Sequence, residues 1–163
     1  MMKIITLAGS LALLALGSPA LAQDAGVKGV TRTVLGSGQP VAAPGLELSL
    51  RRVVFAPGAT IPGEVHSGMQ VIYVLSGHLS LQVLGGSAVV RRALPDGSMG
   101  PATEVKAGPN PVTLGPGDTA LENETLVLHP SNPSAEPLVI LAGSLMPLGK
   151  PQSVQITQPV RIP

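Results

Sequence analysis

The 163-residue sequence contains no cysteine and no tryptophan, and its only aromatic residues are Phe55 and Tyr73. Without thiols there is no disulfide, no thiolate metal site, no cysteine nucleophile and no lipid-modified N-terminal cysteine. With so few aromatics, a platform for stacking bases or sugar rings is poorly supplied. Charge is scarce too. Charged residues make up 12% and the formal net charge is +1, which excludes electrostatic capture of nucleic acid as the main activity. Long helices are also disfavoured, because 20 glycines and 17 prolines break the chain repeatedly. There is no Gly-rich phosphate loop before a helix and no G-x-S-x-G elbow. What is present is apolar: 44% of residues are hydrophobic, too many for a disordered chain. This balance points to an all-β domain.

The N-terminus reads as a leader. Lys3 precedes an apolar run from Ile4 that Gly17, Ser18 and Pro19 interrupt, and Ala20-Leu21-Ala22 follows as a small-residue cleavage site. Residues 1–22 are therefore expected to be a signal peptide, with an exported chain starting at Gln23 in the periplasm or medium. The alternative is an uncleaved anchor, for which the apolar stretch is just long enough. Once the leader is removed, no stable membrane association is expected. Loss of Lys3 from ten basic residues leaves nine, against nine acidic ones, so the mature chain carries no net charge.

Beyond it, residues 23–45 are Gly/Ala/Pro-rich and read as an extended arm or linker. Period-2 alternation begins at Leu46, Leu48 and Leu50 and continues to Phe55. Further short runs at 70–75, 79–83, 87–92, 112–114, 119–122, 126–129 and 138–145 are each bounded by Gly, Pro or Asn. Many short strands separated by turn chemistry predict a sandwich or barrel over 46–146. Residues 147–163 form a C-terminal extension with an edge strand at 154–156, and 95–111 reads as a long surface loop. The alternation predicts a core containing Leu48, Leu50, Val71, Tyr73, Leu79, Leu81, Val139 and Leu141.

The segment from Gly58 to Gly77 resembles the first motif of the cupin superfamily. That motif places Gly, five residues, His-x-His, three or four residues, Glu, six residues and Gly. Here Gly58 and Gly77 bracket Glu64 and His66 in the two His places and Gln70 in the Glu place. Leu114-Gly115-Pro116-Gly117-Asp118 is similar to the turn that opens the second motif. His129 follows one position later than that motif's His, while Asn132 falls at its Asn place. The resemblance implies a double-stranded β-helix, or jelly-roll barrel, with Glu64, His66, Gln70 and His129 converging at one end. It also implies a divalent metal (Fe, Mn or Zn), because a carboxylate and two imidazoles form a competent donor set.

Each of these residues also has a plainer reading. Glu64 could be solvated in its turn, and His66 could be a neutral histidine at the barrel mouth. His78 follows a turn glycine and reads as exposed. In Arg51-Arg52 and Arg91-Arg92, one arginine of each pair can face inward and hold an anion, or both can serve the surface. Glu122 and Glu124 read as edge decoration. Three functional readings stay open: a barrel that binds a small molecule without turnover, a metal-dependent dioxygenase or isomerase, and an assembly protein that forms homodimers through sheet edges or by exchanging the 23–45 arm.

Overall fold

Residues 27–156, the part of the chain that the computed structural model describes, hold twelve antiparallel strands and no helix. The expected leader at 1–22 lies outside the described residues. In chain order the strands are β1 (Val30–Gly38), β2 (Leu46–Phe55), β3 (Glu64–His66), β4 (Met69–Ser76), β5 (Leu79–Gly85) and β6 (Ser87–Arg91). They continue as β7 (Thr103–Lys106), β8 (Val112–Leu114), β9 (Thr119–Glu122), β10 (Val127–Ser131), β11 (Leu138–Pro147) and β12 (Ser153–Gln155). One sheet has the order β1-β2-β11-β4-β9-β6-β7, and the other has the order β12-β3-β10-β5-β8. Their inner faces share one apolar core, which includes Phe55, Val74 and Leu138 from the larger sheet and Leu79, Leu81 and Leu128 from the smaller. This is the jelly-roll solution, in which two curled sheets bury each other's inward side chains.

Two strands form where the sequence suggested irregular chain. β1 lies in the stretch read as an arm, yet it pairs with β2 from Val30↔Phe55 to Gly38↔Leu48. β7 lies in the stretch read as a loop and pairs with β6. Both stand at ends of the larger sheet, where one ladder of hydrogen bonds suffices and apolar alternation is weakest.

The turn residues singled out in the sequence are structural. Gly77 has φ of 78°, and a Cβ there would lie 2.7 Å from the Pro137 carbonyl oxygen, so neither the conformation nor the space suits another residue. Asp118 closes its turn by accepting from the Gly115 and Ala93 amides, each at 2.9 Å, and from Arg92 Nη1 at 2.7 Å. Burial alone would raise its pKa, but those three donors favour the carboxylate and hold it below the ordinary 3.8. Asn132 is fully buried. Its amide donates to the carbonyls of Phe55, Ala56 and Glu136, and its oxygen accepts from Ser134, which ties the loop after β10 to the end of β2.

The expected core is only partly the real one. Leu79 and Leu81 are buried, but Leu48, Leu50, Val71 and Tyr73 are 41–55% exposed and Val139 and Leu141 are half-buried. On the larger sheet the inward set is the opposite one: Ser49, Val53 and Phe55 on β2, Gln70, Ile72 and Val74 on β4, and Leu138, Ile140 and Ala142 on β11. A shift of one residue exchanges the two faces of a strand. Both faces here carry large apolar residues, so alternation revealed the strands without revealing which side was in.

Candidate ligand site

The inner face of the larger sheet changes character along its length. Strand pairing sets Ser49 opposite Ser144, Ser144 opposite Gln70, and Gln70 opposite Glu122, giving one polar row across four strands. The next row inward is Arg51, Ala142, Ile72 and Ala120, and beyond it the face is apolar. β3 lies on the other sheet and contributes Glu64 and His66. These are two residues apart, so they point the same way, and both are buried. Gln152, just before β12, supplies the last buried amide. Of these groups, Arg51, Glu64, His66, Gln70, Glu122 and Gln152 line the polar end of a cavity of about 40 Å³, whose floor is formed by Val53, Phe55, Ile72, Leu79 and Ile140.

The polar groups are bonded chiefly to one another. Glu122 Oε2 lies 3.1 Å from His66 Nε2 and accepts from Gln70 Nε2 at 2.9 Å. Because the Gln70 amide nitrogen is committed to that carboxylate, its oxygen is turned the other way. There it accepts from Ser144 Oγ at 2.9 Å and Gln152 Nε2 at 3.0 Å. Gln152 Nε2 also donates to Ser144 Oγ at 2.9 Å. Glu64 accepts from Ser153 Oγ at 2.6 Å. Arg51 and Arg32 reach the same cavity from β2 and β1.

His66 Nε2 lies 3.1 Å from Glu122 Oε2 and 3.2 Å from Gln70 Nε2, and its Nδ1 lies 3.4 Å from the Gln152 carbonyl. Burial by itself lowers the pKa of an imidazole. Here the hydrogen bond and charge of Glu122, the charge of Glu64 and the Gln152 carbonyl outweigh it, and the pKa rises above 6.5. His66 and Glu122 form a close buried pair at the polar end of the cavity.

Three of the four residues singled out from the sequence, Glu64, His66 and Gln70, meet in this cavity. His129 does not. It alternates on β10 with Leu128 and Pro130, whose side chains line the cavity, so its ring lies on the other side of the strand. There it shares a 2.7 Å hydrogen bond with the Thr60 hydroxyl. The strand irregularity between Val127 and Leu128 precedes both residues and cannot restore the register. The sequence reading also misplaced Glu122, which is 1% exposed and central to the cluster rather than edge decoration. The available signal was parity: Glu122 shares a face of β9 with buried Ala120.

The donor set does not fit the metal implied by the cupin resemblance. His129 is on the wrong face, Gln70 presents its N–H rather than its oxygen to His66 and Glu122, and His66 is hydrogen-bonded at both nitrogens. Among the described residues no group of three or more His, Cys, Asp or Glu side chains is arranged to hold a metal ion.

No family model matches the sequence, and no curated protein matches it. Solved structures do. The DMSP lyase DddQ from Ruegeria pomeroyi DSS-3 is 19% identical with a TM-score of 0.51, over 77% of this chain and 51% of that one, so the chain spans about half the length of the lyase. An RmlC-like cupin from Shewanella frigidimarina is 18% identical with a TM-score of 0.48, covering 78% of this chain and 84% of that one. KdgF from a Halomonas species is 20% identical with a TM-score of 0.48, covering 75% and 83%. At such identities the likeness concerns architecture. The chain has the cupin fold.

Proposed function

We propose that this chain is an exported protein of cupin fold that binds a small molecule inside its barrel, with no reaction assigned to it. The observation that carries the reading is the interior cavity, with a polar end built from several strands and an apolar floor. A domain gains nothing in stability from a void or from buried polar side chains that an apolar set could replace, so their presence here favours a ligand. Export rests on the leader pattern at 1–22, and intact-mass measurement should find an N-terminus at Gln23. Ligand binding is tested by filling the cavity. Ala142 is buried on its wall, and Ala142→Leu should abolish small-molecule binding seen by ligand-observed NMR while thermal unfolding stays cooperative. Equal binding by that variant overturns the reading.

Assembly is favoured by a separate observation. Leu48, Leu50, Met69, Val71, Tyr73 and Leu75 lie exposed on the outer face of the larger sheet, and Gly36 and Gly143 leave a hollow of about 560 Å³ beside them. Six large apolar side chains exposed side by side form a contiguous patch of the kind that marks an interaction surface. We propose a second copy of the chain as its occupant. Sedimentation should show a dimer that Val71→Lys converts to a monomer. A monomeric parent at high micromolar concentration overturns this.

A further inference from the structure

Among the described residues, two buried polar side-chain atoms are left without a partner, Arg51 Nε and Gln152 Oε1, and both residues line the cavity. Their neighbours on the same wall are satisfied: Glu64 by Ser153, and Glu122 by His66 and Gln70. Unpartnered buried groups are rare in folded proteins, and here two of opposite hydrogen-bonding character belong to residues lining one cavity.

Arg51 points inward because it shares a face of β2 with Ser49, Val53 and Phe55, and it has room because the residue beside it on β11 is Ala142. Arg52 takes the other face and is exposed. A guanidinium stays charged at every accessible pH and can only donate, so a buried Nε–H calls for an acceptor. Its planar fork matches a carboxylate with two parallel hydrogen bonds.

Gln152 is 8% exposed, and its amide cannot turn over without loss. Its nitrogen is committed to Gln70 Oε1 and Ser144 Oγ, which leaves the oxygen as an acceptor awaiting an N–H or O–H. The apolar floor suits a short hydrocarbon body, and a cavity of about 40 Å³ admits only a few heavy atoms. Repulsion from Glu64 and Glu122 is moderated, since both accept hydrogen bonds and Arg32 lines the cavity beside Arg51.

Building on the small-molecule reading, we propose that the cavity binds a short carboxylate bearing an O–H or N–H donor, its carboxylate on Arg51 and its donor on Gln152 Oε1. The experiment titrates the full-length mature protein with lactate, propionate and 1,2-propanediol, reading the Arg51 Nε–H resonance by 15N-edited NMR and affinity by calorimetry. Lactate should shift that resonance and bind at least tenfold more tightly than propionate, and the diol should not bind. Arg51→Met should abolish lactate binding, and Arg51→Lys, which keeps the charge but loses the fork, should weaken it at least tenfold. Gln152→Leu should remove the preference for lactate over propionate. Arg52→Gln, on the outer face, should leave all three results unchanged. If the diol binds as well as lactate and Arg51→Met has no effect, the anion assignment falls while small-molecule binding stands. If chloride alone moves the Arg51 resonance as much as lactate does, the carboxylate assignment falls likewise. If none of the probes perturbs any resonance of the cavity, both the assignment and the reading beneath it fall.

Discussion

The two faces of the larger sheet invert the usual relation between polarity and depth. Around β4 the outer face carries Leu48, Leu145, Met69, Val71 and Tyr73, while the inner face at the same level carries Ser49, Ser144, Gln70 and Glu122. Polar groups are costly to bury unless they hydrogen-bond. Here they bond to one another across the strands, which makes the inner row tenable. The outer row is apolar although it meets solvent in the single chain. Each face thus departs from the rule, and the proposals of a ligand inside and a second copy outside rest on those departures.

The largest expected difference between the faces comes from placing one charge on each, within a single strand. Val74 is fully buried and Val71 is 46% exposed, both on β4. Val74→Asp should destabilise by about 3–5 kcal/mol, because an unpaired carboxylate would enter the core. Leu81→Asp, on the inner face of the smaller sheet, should do the same. Val71→Asp should cost under about 1 kcal/mol in a monomer, as exposed substitutions usually do. Denaturant unfolding measures all three. Comparable losses for Val71→Asp and Val74→Asp at low protein concentration would break the comparison.

The same inversion marks the limit of what the sequence disclosed. Strand positions were legible because apolar and polar residues alternate and Gly, Pro and Asn punctuate the runs, as at Gly77 and at Gly117-Asp118. The face was not legible, since alternation put Leu48, Leu50, Val71 and Tyr73 in the core and only the folded sheet shows them outside. Within the site, Glu64, His66 and Gln70 followed from one local motif, where two-residue spacing on β3 fixes direction. Glu122, Ser144 and Gln152 come from three distant segments and meet only through sheet register, which no local pattern encodes. His129 failed for the converse reason: one residue of offset on a strand is a change of side.

A smaller effect should come from the pair at the centre of the inner row. Glu122→Gln keeps the shape but removes the charge that holds the proton on His66, so the imidazole pKa should fall from its raised value. Histidine titration by NMR measures that directly, and an unmoved His66 would show that Glu122 is not its counter-charge. Stability should fall by about 1–3 kcal/mol, the range for leaving buried partners imperfectly matched.

The pH dependence of the parent follows from the same pair. A group whose pKa is higher folded than unfolded stabilises fully below its unfolded value, and that contribution is lost as pH rises through the folded value. For His66, with Glu64, Glu122, Arg32 and Arg51 around it, stability from this source should be complete below about pH 6.5 and decline above it. Melting temperature measured from pH 5 to 9 should show a downward step on the alkaline side that is weaker in Glu122→Gln. A step of equal size in both proteins would assign it elsewhere.

The smallest expected effect distinguishes this inner row from a metal centre. A metal must take His66 Nε2 from Glu122 and compete with the Gln70 amide for that carboxylate. Stabilisation by a bound ion grows as RT ln(1 + [L]/Kd), so a site with Kd of about 1 mM would contribute only ~0.4 kcal/mol at equal ion concentration. Millimolar Mn²⁺ or Zn²⁺ should therefore move the melting temperature by no more than about 1–2 °C at pH 6.5, and EDTA should leave the freshly purified protein unchanged. Any residual affinity should increase with pH as His66 loses its proton, opposite in direction to the intrinsic stability. Stoichiometric metal in the purified protein, together with a drop in melting temperature on chelation, would overturn this account of the site. It would mean that the hydrogen bonds from Gln70 and His66 to Glu122 give way to coordination.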